Sequence, residues 1–187
     1  VHTLGEDLRG SVTGAIADVR RLIYQLRPAA LDELGLVEAV RRHAKRLDRR
    51  SDGAPVLVSV HANAQLPELP AAVEVAAYRI VTEALTNIAR HSRASRVDID
   101  IDIDIDIDID VDIDIDIAES TQTPAGLELT VQDNGCPTST NGAPPTWTPG
   151  VGLRSMSERA TELGGTLHAE PTPAGGRVHA RLPLGAD

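Results

Sequence analysis

Aromatic residues are nearly missing from this chain, since Tyr, Trp and Phe make up 2% of its 187 residues and Phe does not occur. A hydrophobic core must therefore be built from Leu, Ile, Val and Ala. The single cysteine, Cys136, excludes a disulfide within the chain and suits a reducing compartment. No apolar run reaches the roughly 20 residues that a membrane span needs, so no membrane contact is expected. No basic stripe with interleaved aromatics is present, which argues against a nucleic-acid partner.

The net charge of −10 comes from one segment of the chain. Residues 98–117 alternate Asp with a β-branched residue and contain ten aspartates. Without these ten, 18 of the 28 acidic residues remain, which equals the 18 basic residues. Bulk acidity therefore indicates no class of partner. The length suits one ordinary domain plus an appendage.

A polar stripe stands out in the segment YRIVTEALTNIARHS, residues 78–92. Glu83, Asn87 and His91 are four residues apart, so they lie one above the other on an α-helix. The opposite side has the spacing of a core-facing surface: Ala77, Ile80, Val81, Ala84, Leu85 and Ile88. Asn is uncommon inside helices, and its oxygen suits Mg²⁺, while a Glu one turn earlier can orient a water molecule. A solvated polar face is the alternative interpretation.

A DNG sequence at 133–135 follows an alternating run that predicts a strand: Leu127, Leu129 and Val131. The carboxylate of Asp133 at the strand end can accept a hydrogen bond from an exocyclic amine. Gly135 lets a ring approach the backbone.

A second glycine-containing segment, GVGL at 150–153, precedes a helical run that ends at Gly164–Gly165. Glycines at a helix start free backbone N–H groups for phosphate oxygens, and the helix dipole favours negative charge there. DNG and GVGL are each weak motifs alone. In this order after the Asn-containing helix, the set is strong.

The other periodic segments predict a small α/β domain. An amphipathic helix runs from Leu4 to Leu26 and stops before Pro28, and Pro70 is well placed to start the Asn-containing helix. Four further segments have regular patterns: a helix at about 36–50, a strand at 56–60, a strand from Val97 that pairs with 127–132, and a hairpin of 166–170 with 176–182. Three helices over about five strands form a two-layer α/β sandwich.

The ordered motifs resemble the ATP-binding catalytic domain of sensor histidine kinases, in the GHKL superfamily with the Bergerat fold. The segment RRLIYQLRPAALDELGLVEAVRR (20–42) resembles the subgroup that partners response regulators of the LuxR/NarL type, in which an LRP…L…LGL signature follows the dimerisation helices. The resemblance covers nearly the whole chain apart from residues 98–126. It implies a remnant of the dimerisation helices and linker at 1–34 and the catalytic domain at 35–187, with the repeat inserted at 98–117.

The resemblance implies a role for each motif residue, with ATP and Mg²⁺ as cofactors. Asn87 would be the Mg²⁺ ligand, with Glu83 as its catalytic polar partner. Asp133 would bind the adenine amine, with Gly135 beside it. Arg90 and His91 would lie near the phosphates. The second glycine box would consist of Gly150, Gly152 and Leu153.

Two features depart from the family pattern. The first glycine box reads DNGCP, with Pro137 where a second Gly is expected, and Pro fixes φ and removes a donor. No histidine has the context of a phosphoacceptor, because His2 starts the chain and is followed by Thr and Leu. The Pro-, Thr- and Gly-rich residues 136–149, which include Trp147, are expected to form an ATP lid.

The chain is therefore expected to be a fragment of a cytoplasmic histidine protein kinase, and a membrane anchor upstream in the parent protein stays open. It would transfer the ATP γ-phosphoryl to a histidine on a separate dimerisation helix, for relay to a LuxR/NarL-type regulator, within a homodimeric parent. It would not phosphorylate itself alone. Three alternatives remain: an inactive nucleotide-binding scaffold, an anti-sigma-factor-type GHKL serine kinase, which the LRP…LGL segment disfavours, and a self-assembling repeat protein.

The Asp-Ile repeat fits only a strand, because a helix would scatter Ile around every face. Fully extended it would span roughly 66 Å, far more than an ordinary strand. We expect in-register pairing for about its first two or three Ile, so that shortening 102–117 to an Asn-Gly turn leaves nucleotide affinity nearly unchanged and reduces any self-association. Passive expansion is favoured over self-association, and a Ca²⁺ site comes last.

Overall fold

A computed structural model describes residues 27–47, 49–63, 66–104, 126–135 and 150–185. The elements of this part are, in chain order, α1 (Ala29–Ala44), β1 (Leu57–Ala62), α2 (Ala71–His91), β2 (Arg96–Asp104), β3 (Gly126–Asp133), α3 (Val151–Glu162), β4 (Thr166–Thr172) and β5 (Gly175–Pro183). The strands form one sheet in the order β1-β2-β3-β5-β4, parallel between β1 and β2 and antiparallel elsewhere. The predicted two-layer α/β sandwich is confirmed.

One face of the sheet is buried against the helices. Along β2 and β3, alternate residues such as Ile99, Ile101 and Leu129 enter this interface, while Asp100 lies exposed on the opposite face. The buried side of α2 includes all the residues that the helical spacing predicted: Ala77, Ile80, Val81, Ala84, Leu85 and Ile88. As the composition required, the core of the described part consists of Leu, Ile, Val and Ala with one methionine, Met156.

The strand predictions agree closely with the sheet. β1 lies one to two residues later than predicted, and β4 and β5 form the predicted hairpin with a shorter turn. At the start of the repeat, Ile99, Ile101 and Ile103 lie opposite three residues of β3: Val131, Leu129 and Leu127. Pairing of the first three Ile is therefore confirmed, and the last pair within the described residues is Asp104 with Gly126.

We expect that replacing residues 105–125 with Asn-Gly leaves ATP affinity within about twofold of the parent chain. Asp104 and Gly126 are directly paired, so a two-residue turn can join them. Gly126 is also at the opposite end of β3 from Asp133, roughly 23 Å away along the strand. Calorimetric titration measures the nucleotide affinity, and sedimentation velocity measures self-association.

A chain in which a Gly-Ser linker of equal length replaces residues 105–125 provides the control. It retains the loop length but removes the alternating Ile, so it separates the effect of shortening the loop from the effect of losing the Ile side chains. A loss of ATP binding in the Asn-Gly chain would show that the repeat belongs to the working fold.

The first helix differs from its predicted bounds of about 36–50. α1 begins at Ala29 and ends at Ala44, with a kink at Gly35, where φ is 69°. Glycine adopts this left-handed conformation at little cost, so the LGL sequence allows one helix to continue on both sides of the kink. The prediction missed the first turns because it began the helix after this glycine.

Tertiary contacts explain why α1 stops before the predicted end. Arg50 donates from Nη1 to the Ala94 carbonyl oxygen and pairs with Asp52 at 2.7 Å. The Ser51 N–H donates to the carbonyl oxygen of Ala89, near the end of α2. These contacts hold the segment as a turn, although its apolar spacing continues the helical pattern.

Ion pairs join the residues before α1 to α2. Arg27 contacts Glu74 in the first turn of α2 and Asp32 in α1, and both Arg27 and Glu74 are largely buried. α1 crosses the boundary predicted between residues 34 and 35, so the two-part division stays a prediction.

Several predicted segments lie outside the described residues. They are the amphipathic helix from Leu4 to Leu26, the repeat beyond Asp104, and the lid at 136–149 with Pro137 and Trp147. Among the helices that are described, none is both long and apolar enough to cross a membrane.

Candidate functional site

A cavity of about 930 Å³ opens between α2, α3 and the adjoining ends of β3 and β5. This volume is in the range typical of small-molecule sites. All the site residues predicted from the sequence line it: Glu83, Asn87, Arg90, His91, Asp133, Gly135, Gly150, Gly152 and Leu153. The fold thus brings together three motifs that are up to 70 residues apart in the chain.

One end of the cavity is formed where α2 meets the start of α3. A Cβ atom on Gly152 would overlap Glu83 Oε1 and would lie 3.1 Å from Asn87 Nδ2 and 3.3 Å from its Oδ1. The close approach therefore leaves room only for glycine while Glu83 and Asn87 keep these positions. It gathers a carboxylate and an amide oxygen beside a helix start that no side chain caps.

Asp133 lies at the other end of the cavity and is only 5% exposed. Its Oδ1 accepts hydrogen bonds from Ser92 Oγ at 2.7 Å and from the Gly135 N–H at 2.8 Å. Its Oδ2 accepts one from the Gly176 N–H at 3.2 Å. A buried carboxylate with three donors is held in one orientation and is a strong acceptor for a further polar hydrogen.

The turn after Asp133 is anchored to the start of β2. Asn134 Oδ1 accepts hydrogen bonds from the backbone N–H groups of Ser95 and Arg96, both at 2.9 Å. Gly135 packs so closely that a Cβ atom there would overlap Ser92 Oγ and lie 2.7 Å from the Ala94 nitrogen. The DNG sequence therefore forms a rigid corner at the rim of the cavity.

Positive charge surrounds much of the cavity. Besides Arg90, three arginines that the sequence analysis did not single out line it: Arg79, Arg93 and Arg159. Arg79 is four residues before Glu83, so the same helical spacing could have identified it. Arg159 donates to the Ser155 carbonyl oxygen at 3.0 Å and also contacts the Ser155 hydroxyl. The walls between the two ends are apolar and include Ala84, Ile88, Val131 and Val178.

Ser92 and Gly176 were also missed by the sequence analysis. Ser92 directly follows His91 at the end of α2, which is a weak signal. Nothing in the local sequence of Gly176 indicates that its N–H reaches Asp133, 43 residues earlier. The pairing of β3 with β5 brings Gly176 next to Asp133.

The oxygen donors of the cavity suit a cation that retains water or ligand oxygens. The described residues contain no cluster of three or more His, Cys, Asp or Glu side chains that would hold a metal ion by themselves. Mg²⁺ is commonly bound by one or two protein oxygens, with water and phosphates completing its octahedron. Asn87 Oδ1, with Glu83 nearby, fits that requirement.

Comparisons with a family model and with known proteins agree on one family. The model for histidine kinase-, DNA gyrase B- and HSP90-like ATPases matches residues 72–186. The chain is 32% identical to the histidine-protein kinase/phosphatase UhpB of Salmonella typhimurium, over 91% of this chain and 29% of UhpB. It is 28% identical to the sensor histidine kinase MctS of Rhizobium johnstonii, over 95% of this chain and 34% of MctS. The chain spans about a third of the length of these relatives.

Solved structures share the fold. The histidine kinase AdeS of Acinetobacter baumannii matches with a TM-score of 0.52 and 16% identity, over 96% of this chain and 85% of that structure. The histidine kinase domain of the Erythrobacter litoralis EL346 blue-light activated kinase also gives a TM-score of 0.52, with 20% identity over 80% of this chain and 61% of that structure. At these identities the likeness is one of fold. Since the family model covers more than half of the sequence, the chain belongs to the histidine kinase-, DNA gyrase B- and HSP90-like ATPase family.

Proposed function

We propose that the cavity binds ATP with Mg²⁺ and presents the γ-phosphoryl group to a histidine on a separate helix. The observation that carries this proposal is the joining of two chemically different ends by one cavity. Asp133 supplies a buried acceptor at one end, and Glu83, Asn87 and the start of α3 meet at the other.

The Asp133 end is suited to an adenine ring. An exocyclic amine donates a hydrogen bond to the carboxylate, and the close packing of Gly135 against Ser92 and Ala94 fixes the turn beside it. The apolar side chains of Ala84, Ile88 and Val131 offer surfaces to the ring faces. A guanine ring would place a carbonyl oxygen opposite Asp133, where two acceptors repel each other.

The other end is suited to a polyphosphate. Asn87 Oδ1 would hold Mg²⁺, which supplies positive charge for the phosphate oxygens. Gly152 and Leu153, in the first turn of α3, line the same space as Arg90 and His91, and the backbone N–H groups of a helix start favour phosphate oxygens. Glu83 would polarise the attacking imidazole. Phosphoryl transfer depends mainly on such positioning and charge stabilisation.

The partners follow from the same proposal. The acceptor histidine would be on a dimerisation helix of a homodimeric cytoplasmic protein, and the phosphoryl group would pass to a LuxR/NarL-type response regulator. The LRP…LGL segment, residues 26–36, supports this assignment. Within its described residues, 27–36, Leu31 is buried and the Arg27 side chain is largely buried, so this part of the segment packs against the domain.

Nucleotide titration tests the binding step. We expect ATP and ADP to bind, with Mg²⁺ increasing the affinity for ATP, and we expect Asn87→Ala to remove most of that increase because the amide oxygen is lost. Asn63→Ala is a matched control, because Asn63 is exposed and its amide donates to Asp102 outside the cavity. Absence of nucleotide binding by the unmutated chain would refute the proposal.

Labelled ATP and a supplied helical partner test the transfer step. We expect the chain alone to remain unlabelled, and a separate helical protein that carries a phosphoacceptor histidine to acquire acid-labile phosphate. Binding without transfer would favour the scaffold alternative. Acid-stable phosphoserine would identify the serine kinase alternative instead.

A further inference from the structure

We propose that Ser92 is a positioning residue that sets the preference of the site for a base with an exocyclic amine, because it orients the Asp133 carboxylate. This inference rests on the proposed function, since it concerns the same cavity. It assigns a role to a residue at the end of α2 that contacts Asp133 across the fold.

The hydrogen bonds determine the direction in which Ser92 donates. The Ala94 N–H donates to Ser92 Oγ at 3.0 Å, so the hydroxyl oxygen is used as an acceptor there. A hydroxyl has a single proton, and the acceptor at 2.7 Å from it is Asp133 Oδ1. Ser92 therefore donates to the carboxylate, and the backbone of Ala94 prevents the hydroxyl from turning around.

The distribution of donors identifies the oxygen that remains for a ligand. An ionised carboxylate has about four lone-pair positions. On Oδ1, two are used by Ser92 and Gly135, and on Oδ2, one is used by Gly176. The remaining position is on Oδ2, so the geometry directs an exocyclic amine to that atom.

Ser92 also links the two ends of the cavity. It is the C-cap residue of α2, and its N–H donates to the Ile88 carbonyl oxygen. Asn87 is on the same helix, five residues earlier. A rigid helix that contacts Asp133 through the side chain of its cap residue keeps the base-binding corner and the phosphate end at a constant separation.

Two nucleotides and three variants test the proposal. The nucleotides are ATP and purine riboside triphosphate, which lacks the 6-amino group. We expect Ser92→Ala to reduce the affinity for ATP about tenfold, as for loss of a hydrogen bond to a charged group, and to change the affinity for the amine-free analogue far less. The dissociation constant of the analogue divided by that of ATP should therefore fall.

Ser92→Thr and Ser92→Val form an isosteric pair in which a methyl group replaces the hydroxyl. The backbone of Ser92 is extended, with φ −90° and ψ 151°, so both β-branched residues are tolerated. We expect Thr to retain the ratio of the parent chain and Val to reproduce the ratio of Ser92→Ala. This pair decides the matter even if Ser92→Ala folds poorly.

The outcomes separate this proposal from the proposed function. Failure of the unmutated chain to bind ATP would overturn both. Binding by the unmutated chain with the same ratio for Thr and Val would overturn the role of Ser92 alone. An equal loss of both nucleotides in Ser92→Val would indicate a purely structural residue, and would also overturn it.

Discussion

Asp133→Asn is expected to weaken the binding of ATP and ADP about 100-fold, both with and without Mg²⁺. Three donors converge on the two carboxylate oxygens, and the change replaces one oxygen with an NH₂ group. In either orientation of the new amide side chain, its NH₂ group faces at least one of these three donors. The adenine amine also loses a charged acceptor. Loss of such a bond in a buried site costs about 2–3 kcal/mol, and each 1.4 kcal/mol is tenfold in affinity.

Asp98→Asn is the matched control for this change. Asp98 is on the opposite face of the sheet, where it pairs with Arg96 at 3.1 Å, and it does not line the cavity. We expect its nucleotide affinity to equal that of the parent chain when both are measured by calorimetry. Similar binding by Asp133→Asn would show that the base does not contact this carboxylate.

Gly152→Ala should reduce Mg²⁺-dependent ATP binding and phosphoryl transfer at least tenfold while leaving the fold intact. The added methyl would overlap Glu83 Oε1 and crowd the Asn87 amide, so one or both must move. Glu83 can rotate away at little cost in stability because the atom that is struck is the end of a flexible side chain. The loss should therefore appear in function, since a displacement of about 1 Å is enough to affect catalysis strongly.

Gly150→Ala provides the comparison, two residues earlier in the same glycine box. A Cβ atom at Gly150 would have no neighbour within 4 Å, and its φ of −82° suits alanine. We expect this variant to lose far less binding and transfer than Gly152→Ala. Thermal unfolding of both variants tests whether the fold is intact, and equal activity of the two would contradict the proposed contact between α3 and the Glu83–Asn87 stripe.

Local sequence patterns correctly predicted the elements for which the tertiary contacts favour the same secondary structure as the local residues do. The helix that carries Asn87 has a buried face with helical spacing and begins after Pro70, and the structure has it at Ala71–His91. The alternation at the start of the repeat matches the pleat of β2, so its buried face and its pairing with β3 followed from the pattern. The roles of the site residues remain predictions, although their shared position in one cavity agrees with them.

The failures occur where distant contacts override local spacing. α1 was predicted to extend to about residue 50, but Arg50 reaches Ala94 and Ser51 reaches Ala89, which holds the chain in a turn. The helix start was missed because the predicted segment began at about residue 36, whereas the positive φ of Gly35 allows a kink within a longer helix. Both errors concern boundaries, and the type of element was correct.

The amino-acid sequence alone was enough to indicate the family, the α/β sandwich and the motif residues, because helical and strand periodicities and short glycine motifs are local properties. The orientation of Asp133 could be read only from the tertiary structure. Its donors come from the end of α2, from the DNG turn and from the β5 hairpin strand, through Ser92, Gly135 and Gly176. Strand pairing brings these segments together, and a hydrogen bond between segments 43 residues apart leaves no local pattern that spacing could reveal.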